Sequence, residues 1–342
     1  MGLARHNKDL NIRLVAEQAG VSVATVSRVV NNRTDVSETV RRKVSEVIER
    51  FNFAPTKSVE RRVNIGIVVA LDGPLINDYI TQILDGVAGY SDGGNLDVTV
   101  VLYRVCPEAK TLLQTIRERR CDAVVIVPAE PVADQLDDLR DAEIPTMLIN
   151  SDLTGPKMGY IGNESYSGAV KAMEYLIACG HRRIGFLCNS LVNSNNHTQR
   201  LQAYKDVLAR NGIAGDPAWI VPHHPTEQTA DAGFDQCRSL LKHAPGVTAV
   251  FCTNDEMAMG AIKACWEAGL RVPDDISVIG FDGLPYGKYL HPALTTVRQP
   301  LTELGAGAVR YLDEFLKGQR TVLPEETLGT ELVIRDSVTT VK

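Results

Sequence analysis

Hydrophobic positions in the first part of the chain repeat with helical spacing. Intervals of three and four residues predict three short amphipathic helices, each with one buried face. The three stripes consist of Ile12, Val15, Ala16 and Ala19, then Val26, Val29 and Val30, then Val40, Val44, Val47, Ile48 and Phe51. We expect Asn11 and Ser37 to cap the first and third helices, because their side chains can accept hydrogen bonds from first-turn amides.

From residue 64 onward, short β-branched runs alternate with longer amphipathic stretches. The expected strands are 65–69, 98–102, 123–127, 146–149, 183–187, 249–252 and 277–281. The expected helices are 80–90, 109–119, 167–179, 200–210, 230–241 and 257–268. Such alternation predicts parallel sheets with helices on both faces. Two such sets, divided near 159–167, predict two doubly wound lobes with a ligand-binding cleft between them.

Composition places the chain among folded globular proteins. Of its 342 residues, 44% are hydrophobic and 23% are charged, which excludes a disordered tail or a fibre. The sequence contains neither an apolar run of about 18 residues nor a secretory signal, so we expect a cytoplasmic protein without a membrane partner. Seven scattered cysteines without a Cys-x-x-Cys pair argue against a disulfide framework or a zinc knuckle.

Charge is divided unevenly along the chain. Residues 1–63 contain 12 Lys and Arg against 7 Asp and Glu, a net charge of +5, whereas the remainder contains 24 against 35, a net charge of -11. A basic end on an acidic body indicates a nucleic-acid contact confined to that end. A solvated basic face is the alternative that charge alone leaves open.

The short helices have the spacing of a helix-turn-helix, with a tight turn at Gly20. One face of the second helix suits the major groove, because Arg28 can bind guanine bidentately while small apolar side chains contact thymine methyls. That face consists of Val23, Ala24, Ser27, Arg28 and Asn31. Phosphate contacts are expected from Asn11, Ser22, Thr25, Asn31, Lys57 and Arg61. The alternative is a three-helix protein-interaction module.

Several motifs, in this order, resemble the lactose-repressor and galactose-repressor family of bacterial transcription regulators. They are 15–22, 25–31, 36–38 and 41–44 in the basic end, and 180–184, 254–260, 269–282 and 292–300 in the body. The resemblance implies an all-α helix-turn-helix head followed by an α/β periplasmic-binding-protein-like body. It also implies a homodimer on a near-palindromic double-stranded DNA operator, with a small-molecule effector, expected to be a sugar, in the cleft.

The same resemblance implies a set of effector contacts. Arg200 and Asp282 are expected to touch the effector, with Asn254 beside them. Tyr79 lies where relatives often place an aromatic ring, and Asn150 lies where many sugar-responsive members have an aspartate. A charged donor, a carboxylate and an amide can bracket sugar hydroxyls. The alternatives are a surface arginine for Arg200 and a capping role for Asn254 and Asp282.

Two segments depart from the family's pattern. After Pro55 the family has a small helix whose leucines wedge into the minor groove, but here 56–64 leads directly into the first strand without them. We therefore predict little leucine-type kinking of the DNA. The segment 221–228 is longer than usual and lacks an aromatic over the ligand; its adjacent His223 and His224 have no further ligands at metal-site spacing, so we expect no metal site.

These observations predict a boundary scheme. The head is expected at 1–55, a short linker at 56–64 and the effector-binding, dimerising body at 65–342. The first lobe is expected to comprise 65–160 and 292–322, and the second 161–291 and 323–342.

The predicted function is that of a dimeric, operator-binding regulator, expected to be a repressor under the control of a sugar-like metabolite. No dinucleotide-binding, P-loop or nucleophile-elbow motif is present, so we expect neither an enzyme nor a cofactor. Two alternatives remain open at this point. One is a metabolite-binding protein with weakened or lost operator binding, and the other is a regulator controlled by a protein partner.

Overall fold

The computed structural model describes residues 12–30, 33, 36–51, 62–71, 77–91, 96–104, 110–127, 130–188, 195–221 and 229–341. The chain forms two compact units, Met1–Arg62 and Val63–Lys342. The first unit is the head and the second is the body. The body's first strand begins at Val63, inside the segment 56–64 that we expected to be a linker.

The head consists of three helices around a small core. They are α1 (Ile12–Ala19), α2 (Val23–Val30) and α3 (Glu38–Arg50). The buried core consists of Val15, Ala16, Val26, Val29 and Val44. Gly20 has a φ of +64° in the turn between α1 and α2, a conformation that glycine adopts without strain. The predicted stripes therefore do form the buried faces of the described helices.

One capping prediction fails and another lies outside the described residues. Ser37 occupies the N-cap position of α3, but its side chain makes no capping hydrogen bond. The helix begins instead with the backbone bond from Arg41 N to Ser37 O at 2.9 Å, and Glu38 places a carboxylate at the positive end of the helix dipole. Asn11 is not among the described residues.

The body contains two six-stranded sheets. The first has the order β11-β5-β4-β3-β1-β2 and the second has the order β12-β10-β9-β8-β6-β7. The strands of the first sheet are β1 (Val63–Leu71), β2 (Leu96–Arg104), β3 (Ala123–Val127), β4 (Thr146–Ile149), β5 (Met158–Asn163) and β11 (Glu325–Leu328). Those of the second are β6 (Ile184–Leu187), β7 (Ile220–Val221), β8 (Ala249–Cys252), β9 (Ser277–Asp282), β10 (Thr295–Arg298) and β12 (Glu331–Val333). All the pairings are parallel except β10 with β12.

Helices cover both faces of each sheet. They are α4 (Asp78–Ser91), α5 (Leu112–Glu118), α6 (Leu136–Asp141), α7 (Ser165–Ala178), α8 (Asn195–Arg210), α9 (Thr229–His243), α10 (Asp255–Glu267) and α11 (Leu301–Leu316). Along β1, Ile65, Ile67 and Val69 join the core on one face, whereas Val68 and Ala70 join the core on the other. Because both faces of the sheet are buried, the sequences of its parallel strands are continuous apolar runs.

The lobe boundaries differ from those expected. The chain crosses between the sheets three times, between β5 and α7, between β10 and α11, and between β11 and β12. Residues 295–298 therefore belong to the second lobe, and 161–163 and 325–328 belong to the first. Strands β10 and β11 contain threonines and glutamates in place of a long apolar run, so hydrophobic pattern alone did not place these crossings.

Candidate nucleic-acid interface and interlobe cleft

Helix α2 presents the predicted face to solvent. Val26 and Val29 are buried in the head core, whereas Val23, Ala24 and Arg28 are exposed and Ser27 is partly exposed. Val23 is 41% exposed on this eight-residue helix. It gives the exposed face an apolar side chain beside Arg28. Of the other residues expected at the DNA, Asn11, Asn31, Lys57 and Arg61 lie outside the described part of the chain.

The first turn of α2 is fixed by two hydroxyl groups. Ser22 Oγ accepts a hydrogen bond from Thr25 N at 3.1 Å and lies 2.9 Å from Thr25 Oγ1. Ser22 thus caps the helix and holds both hydroxyls at its positive end, where phosphate oxygens are favoured. The capping contact is compatible with the predicted phosphate role of Ser22 and Thr25.

The five expected effector residues come from both lobes. Tyr79 is in the first turn of α4, Asn150 follows β4, Arg200 lies in α8, Asn254 precedes α10 and Asp282 ends β9. Three of them therefore stand at the carboxyl ends of parallel strands, the edge at which open α/β sheets bind ligands.

A hydrogen-bond network joins three of these residues. Asn150 Nδ2 donates to Tyr79 Oη at 2.5 Å and to Gln299 Oε1 at 3.2 Å. Gln299 Nε2 in turn donates to Asp282 Oδ1 at 2.6 Å. Asn163 Nδ2 donates to Asn150 Oδ1 and to Gln299 Oε1, each at 2.7 Å. Amide groups thus connect the first lobe to the second.

Arg200 is a buried cation. Its side chain has 3% of its surface exposed, which excludes the surface arginine that the sequence left open. The guanidinium lies 3.6 Å above the centre of the Phe281 ring, and its Nη1 donates to Thr253 O at 2.5 Å. Nε is buried with no hydrogen-bond partner among the described residues. Burial lowers the pKa of Arg200, and the nearby Asp282 carboxylate opposes that shift.

Asp282 is buried in a strained conformation opposite this cation. Its φ is +133°, a value that non-glycine residues adopt where the surroundings hold them. Burial first, and then the Asp255 carboxylate, raise the pKa of Asp282 well above its ordinary value, whereas Arg200 lowers it. Burial also raises the pKa of Asp255 to about 6, against hydrogen bonds from Thr296 and Leu284. The second lobe therefore contains two buried carboxyl groups, Asp255 and Asp282, that burial shifts towards protonation.

Asn254 has a structural task of its own. Its Oδ1 accepts a hydrogen bond from Met257 N at 2.7 Å and so caps α10. The capping alternative is therefore correct for Asn254, and the amide nitrogen of the same side chain remains the group that can serve a ligand. For Asp282, the described contacts are with Gln299.

Sequence reasoning missed two residues of the network. Gln299 belongs to a motif shared with the resembled family but was not assigned to the site, and Asn163 carried no signal at all. Both lie at ends of short strands, where chain topology rather than local pattern brings side chains together.

Comparison with known proteins identifies the family. Residues 11–56 match the model "Bacterial regulatory proteins, lacI family", and residues 173–338 match a periplasmic binding protein-like domain. The transcriptional regulator MalR of Clostridium butyricum is 31% identical, over 96% of this chain and 99% of MalR. The transcriptional repressor PurR of Pasteurella multocida is also 31% identical, over 96% of this chain and 98% of PurR. The chain belongs to the LacI family.

Two solved structures of transcription regulators share the fold. The lac repressor dimer bound to operator and the anti-inducer ONPF has a TM-score of 0.80 at 29% identity, over 97% of this chain and 100% of that one. The regulator CelR in complex with cellobiose has a TM-score of 0.72 at 27% identity, over 96% of this chain and 99% of that one.

This LacI-family chain is a DNA-binding transcriptional repressor and not an enzyme. Its head is the helix-turn-helix, and its body is the two-lobed α/β module. Within the described ranges, no helix is long and apolar enough to cross a bilayer. The same ranges contain no group of three His, Cys, Asp or Glu side chains placed to bind a metal ion, and His223 and His224 lie outside them.

Proposed function

We propose that this repressor acts as a homodimer whose operator affinity is controlled by a sugar or sugar derivative bound between the two lobes. The observation that carries the proposal is the buried Arg200, whose Nε has no hydrogen-bond partner among the described residues. An unmet buried donor is costly. An oxygen of a ligand in the cleft would meet it.

The chemistry of the cleft favours a neutral polyol. Arg200 and Asp282 place a cation and a carboxylate together, with the Asn254 amide and the Tyr79 ring on neighbouring elements. Hydroxyl groups both donate and accept hydrogen bonds, so a sugar can satisfy Arg200 and Asp282 together. The CelR structure contains cellobiose, which is a ligand of this class.

In the head, we assign base contacts to the exposed face of α2 and phosphate contacts to its surroundings. Arg28 reads a guanine, and Val23 and Ala24 contact thymine methyls. Ser27 belongs to the same face as Arg28. The phosphates are contacted by Asn11, Ser22, Thr25, Asn31, Lys57 and Arg61. The acidic body repels DNA, which confines binding to the head. Because the protein acts on DNA, we place it in the cytoplasm.

The homodimer is supported by exposed apolar side chains in each lobe. Val100 and Leu102 lie on the same face of the edge strand β2 and are 47% and 49% exposed. Met259 and Trp266 lie two turns apart on one face of α10, and both are exposed. Exposed edge strands with apolar faces are usually covered, and a two-fold dimer would place two heads on paired half-sites.

The dimer is tested by Leu102→Lys in the full chain. Sedimentation should show a shift from dimer towards monomer, together with weaker operator binding. Val322→Lys is a control, because Val322 is exposed and comes three residues before β11, the strand at the opposite edge of the sheet from β2. Equal dimer fractions in wild type and Leu102→Lys would contradict this interface.

The complete function is tested by selecting genomic DNA fragments with the full chain against polynucleotide competitor, followed by calorimetry with pentoses, hexoses and disaccharides. We expect one enriched fragment class and one sugar that binds and changes its affinity. Sugar binding without fragment selection would instead identify a metabolite-binding protein. Fragment selection without any sugar response would favour control by a protein partner.

A further inference from the structure

The three crossings between the lobes are tied to one another by hydrogen bonds. Glu164 N, in the first crossing, donates to Leu328 O at the third crossing at 2.9 Å. Asn163 Nδ2, at the first, donates to Gln299 Oε1, at the second, at 2.7 Å. One backbone bond and one side-chain bond thus join all three segments that connect the lobes.

The side-chain bond belongs to a buried pair whose polar atoms are all engaged. Asn163 and Gln299 each have 4% of their surface exposed. Asn163 Oδ1 accepts from Ser165 Oγ at 3.0 Å, and Asn163 Nδ2 also donates to Asn150 Oδ1. Gln299 Oε1 accepts from both Asn163 and Asn150. Buried amides satisfied on each side fix one geometry, since any displacement leaves a polar atom unpaired.

The hydrogen bonds of this pair extend to proposed effector residues in both lobes. Gln299 Nε2 holds Asp282 Oδ1, and Gln299 N donates to Asp282 O at 3.0 Å. Asn150 connects the pair to Tyr79 of the first lobe. A ligand that moves Asp282 or Tyr79 would therefore displace the side chains of Asn163 and Gln299, which lie where the chain crosses between the lobes.

We propose that Asn163 and Gln299 form a hinge lock, a pair of positioning residues that holds the two lobes at one angle and through which contacts in the cleft act on that angle. The inference rests on the proposed ligand site only for its second half. The lock itself is formed by the chain's own side chains, and a change in the angle between the lobes would need the Asn163–Gln299 bond to break. Removal of the lock should loosen the crossings without unfolding either lobe.

Hydrogen–deuterium exchange on the full chain tests the lock without any effector. Gln299→Met keeps the length of the side chain but removes its hydrogen bonds. We expect the amides in peptides covering 160–168 and 296–304 to exchange about tenfold faster or more, while the strands within each lobe keep their protection. X-ray scattering should show a broader range of interlobe distances.

The matched control is Gln236→Met. Gln236 is also buried, and its Nε2 donates to Cys188 O at 2.9 Å within the second lobe, so the same substitution should leave exchange at the crossings unchanged. Asn163→Ala gives a second variant, and the increase in exchange in the double variant should be smaller than the two single increases combined, because both substitutions remove the same Asn163–Gln299 bond. Wild-type exchange at the crossings in Gln299→Met, or an equal increase in Gln236→Met, would overturn the lock.

Operator binding separates this inference from the proposed function. With a sugar to which the wild type responds, the ratio of operator Kd with and without sugar should fall in Gln299→Met from the typical range of about 5- to 150-fold towards about 1. A wild type without any sugar response, combined with loosened crossings in Gln299→Met, would remove the effector proposal and leave the lock standing. An unchanged ratio in a variant that binds the sugar would overturn the lock's role in coupling.

Discussion

The candidate sites of the head and the body differ in burial and in how far apart their residues lie along the chain. The head encloses a core of five small apolar side chains from helices that are close in sequence, and its candidate interface is an exposed face. The body places its candidate site on buried polar groups that come from distant parts of the chain, such as Asn150, Gln299 and Asp282. An exposed face follows from local periodicity, whereas a buried polar network follows only from topology.

The largest effect should come from a charge in the head core. Val26→Asp puts an unpaired carboxylate where no surface is exposed, a change that costs more than about 4 kcal/mol. A core of this size cannot absorb that cost, so the head should unfold and operator binding should vanish. Thermal unfolding should still show the transition of the body. Loss of that transition too would mean that the two units do not fold independently.

Next in size is the removal of the buried cation. Arg200→Met leaves Asp282 without its opposing charge, and breaking a buried pair in this way costs about 3–5 kcal/mol. Calorimetry should detect no sugar binding, while operator binding by the folded head persists. Arg210→Met, at the exposed end of the same helix, is the control and should bind sugar as wild type does. Normal sugar affinity in Arg200→Met would remove Arg200 from the site.

A pH dependence follows from Asp255. Its folded pKa is raised from 3.8 to about 6 by burial, so the folded state holds a proton that the unfolded state releases at lower pH. The contribution of Asp255 to the free energy of unfolding is therefore fully present below about pH 4. It is lost as the pH rises through about 6, and the total loss is about 3 kcal/mol. Urea titrations should show this fall, and Asp255→Asn should reduce it. A flat profile for wild type across this window would contradict the assignment.

The smallest of these effects concerns base reading. Arg28→Ala should cost about 1–3 kcal/mol on the operator and relax specificity at one base pair. Arg61→Ala should weaken binding to all sequences alike, since a phosphate contact carries no sequence information. Fluorescence anisotropy with operator and random DNA separates the two outcomes. An equal loss of affinity for operator and random DNA in Arg28→Ala would contradict the base-reading role of Arg28.

Local pattern predicted much of the fold. All seven expected strands are present, and 123–127, 146–149 and 249–252 have the expected bounds. Those strands are apolar on both faces, so their signal is strong. Strands β5, β7, β10, β11 and β12 and helices α6 and α11 were not predicted. The strands are short or polar, and their positions depend on pairing with distant partners.

The candidate site was predicted unevenly for the same reason. Arg200 and Asp282 came from motifs of the resembled family, and the structure buries both side chains, with the Asp282 charge acting on the pKa of Arg200. Asn163 and Gln299 were missed because an amide at the end of a short strand has no distinctive pattern. The exposed face of α2 was predicted from spacing alone, since solvent exposure on a short helix follows from which positions fill the core.

The most direct test of the account is a titration of a selected operator fragment with the full chain, with and without a saturating amount of the sugar found by calorimetry. We expect the sugar to shift the operator Kd by about 5- to 150-fold while binding to random DNA stays the same. An operator Kd that no bound sugar changes, or equal affinity for operator and random DNA, would contradict it.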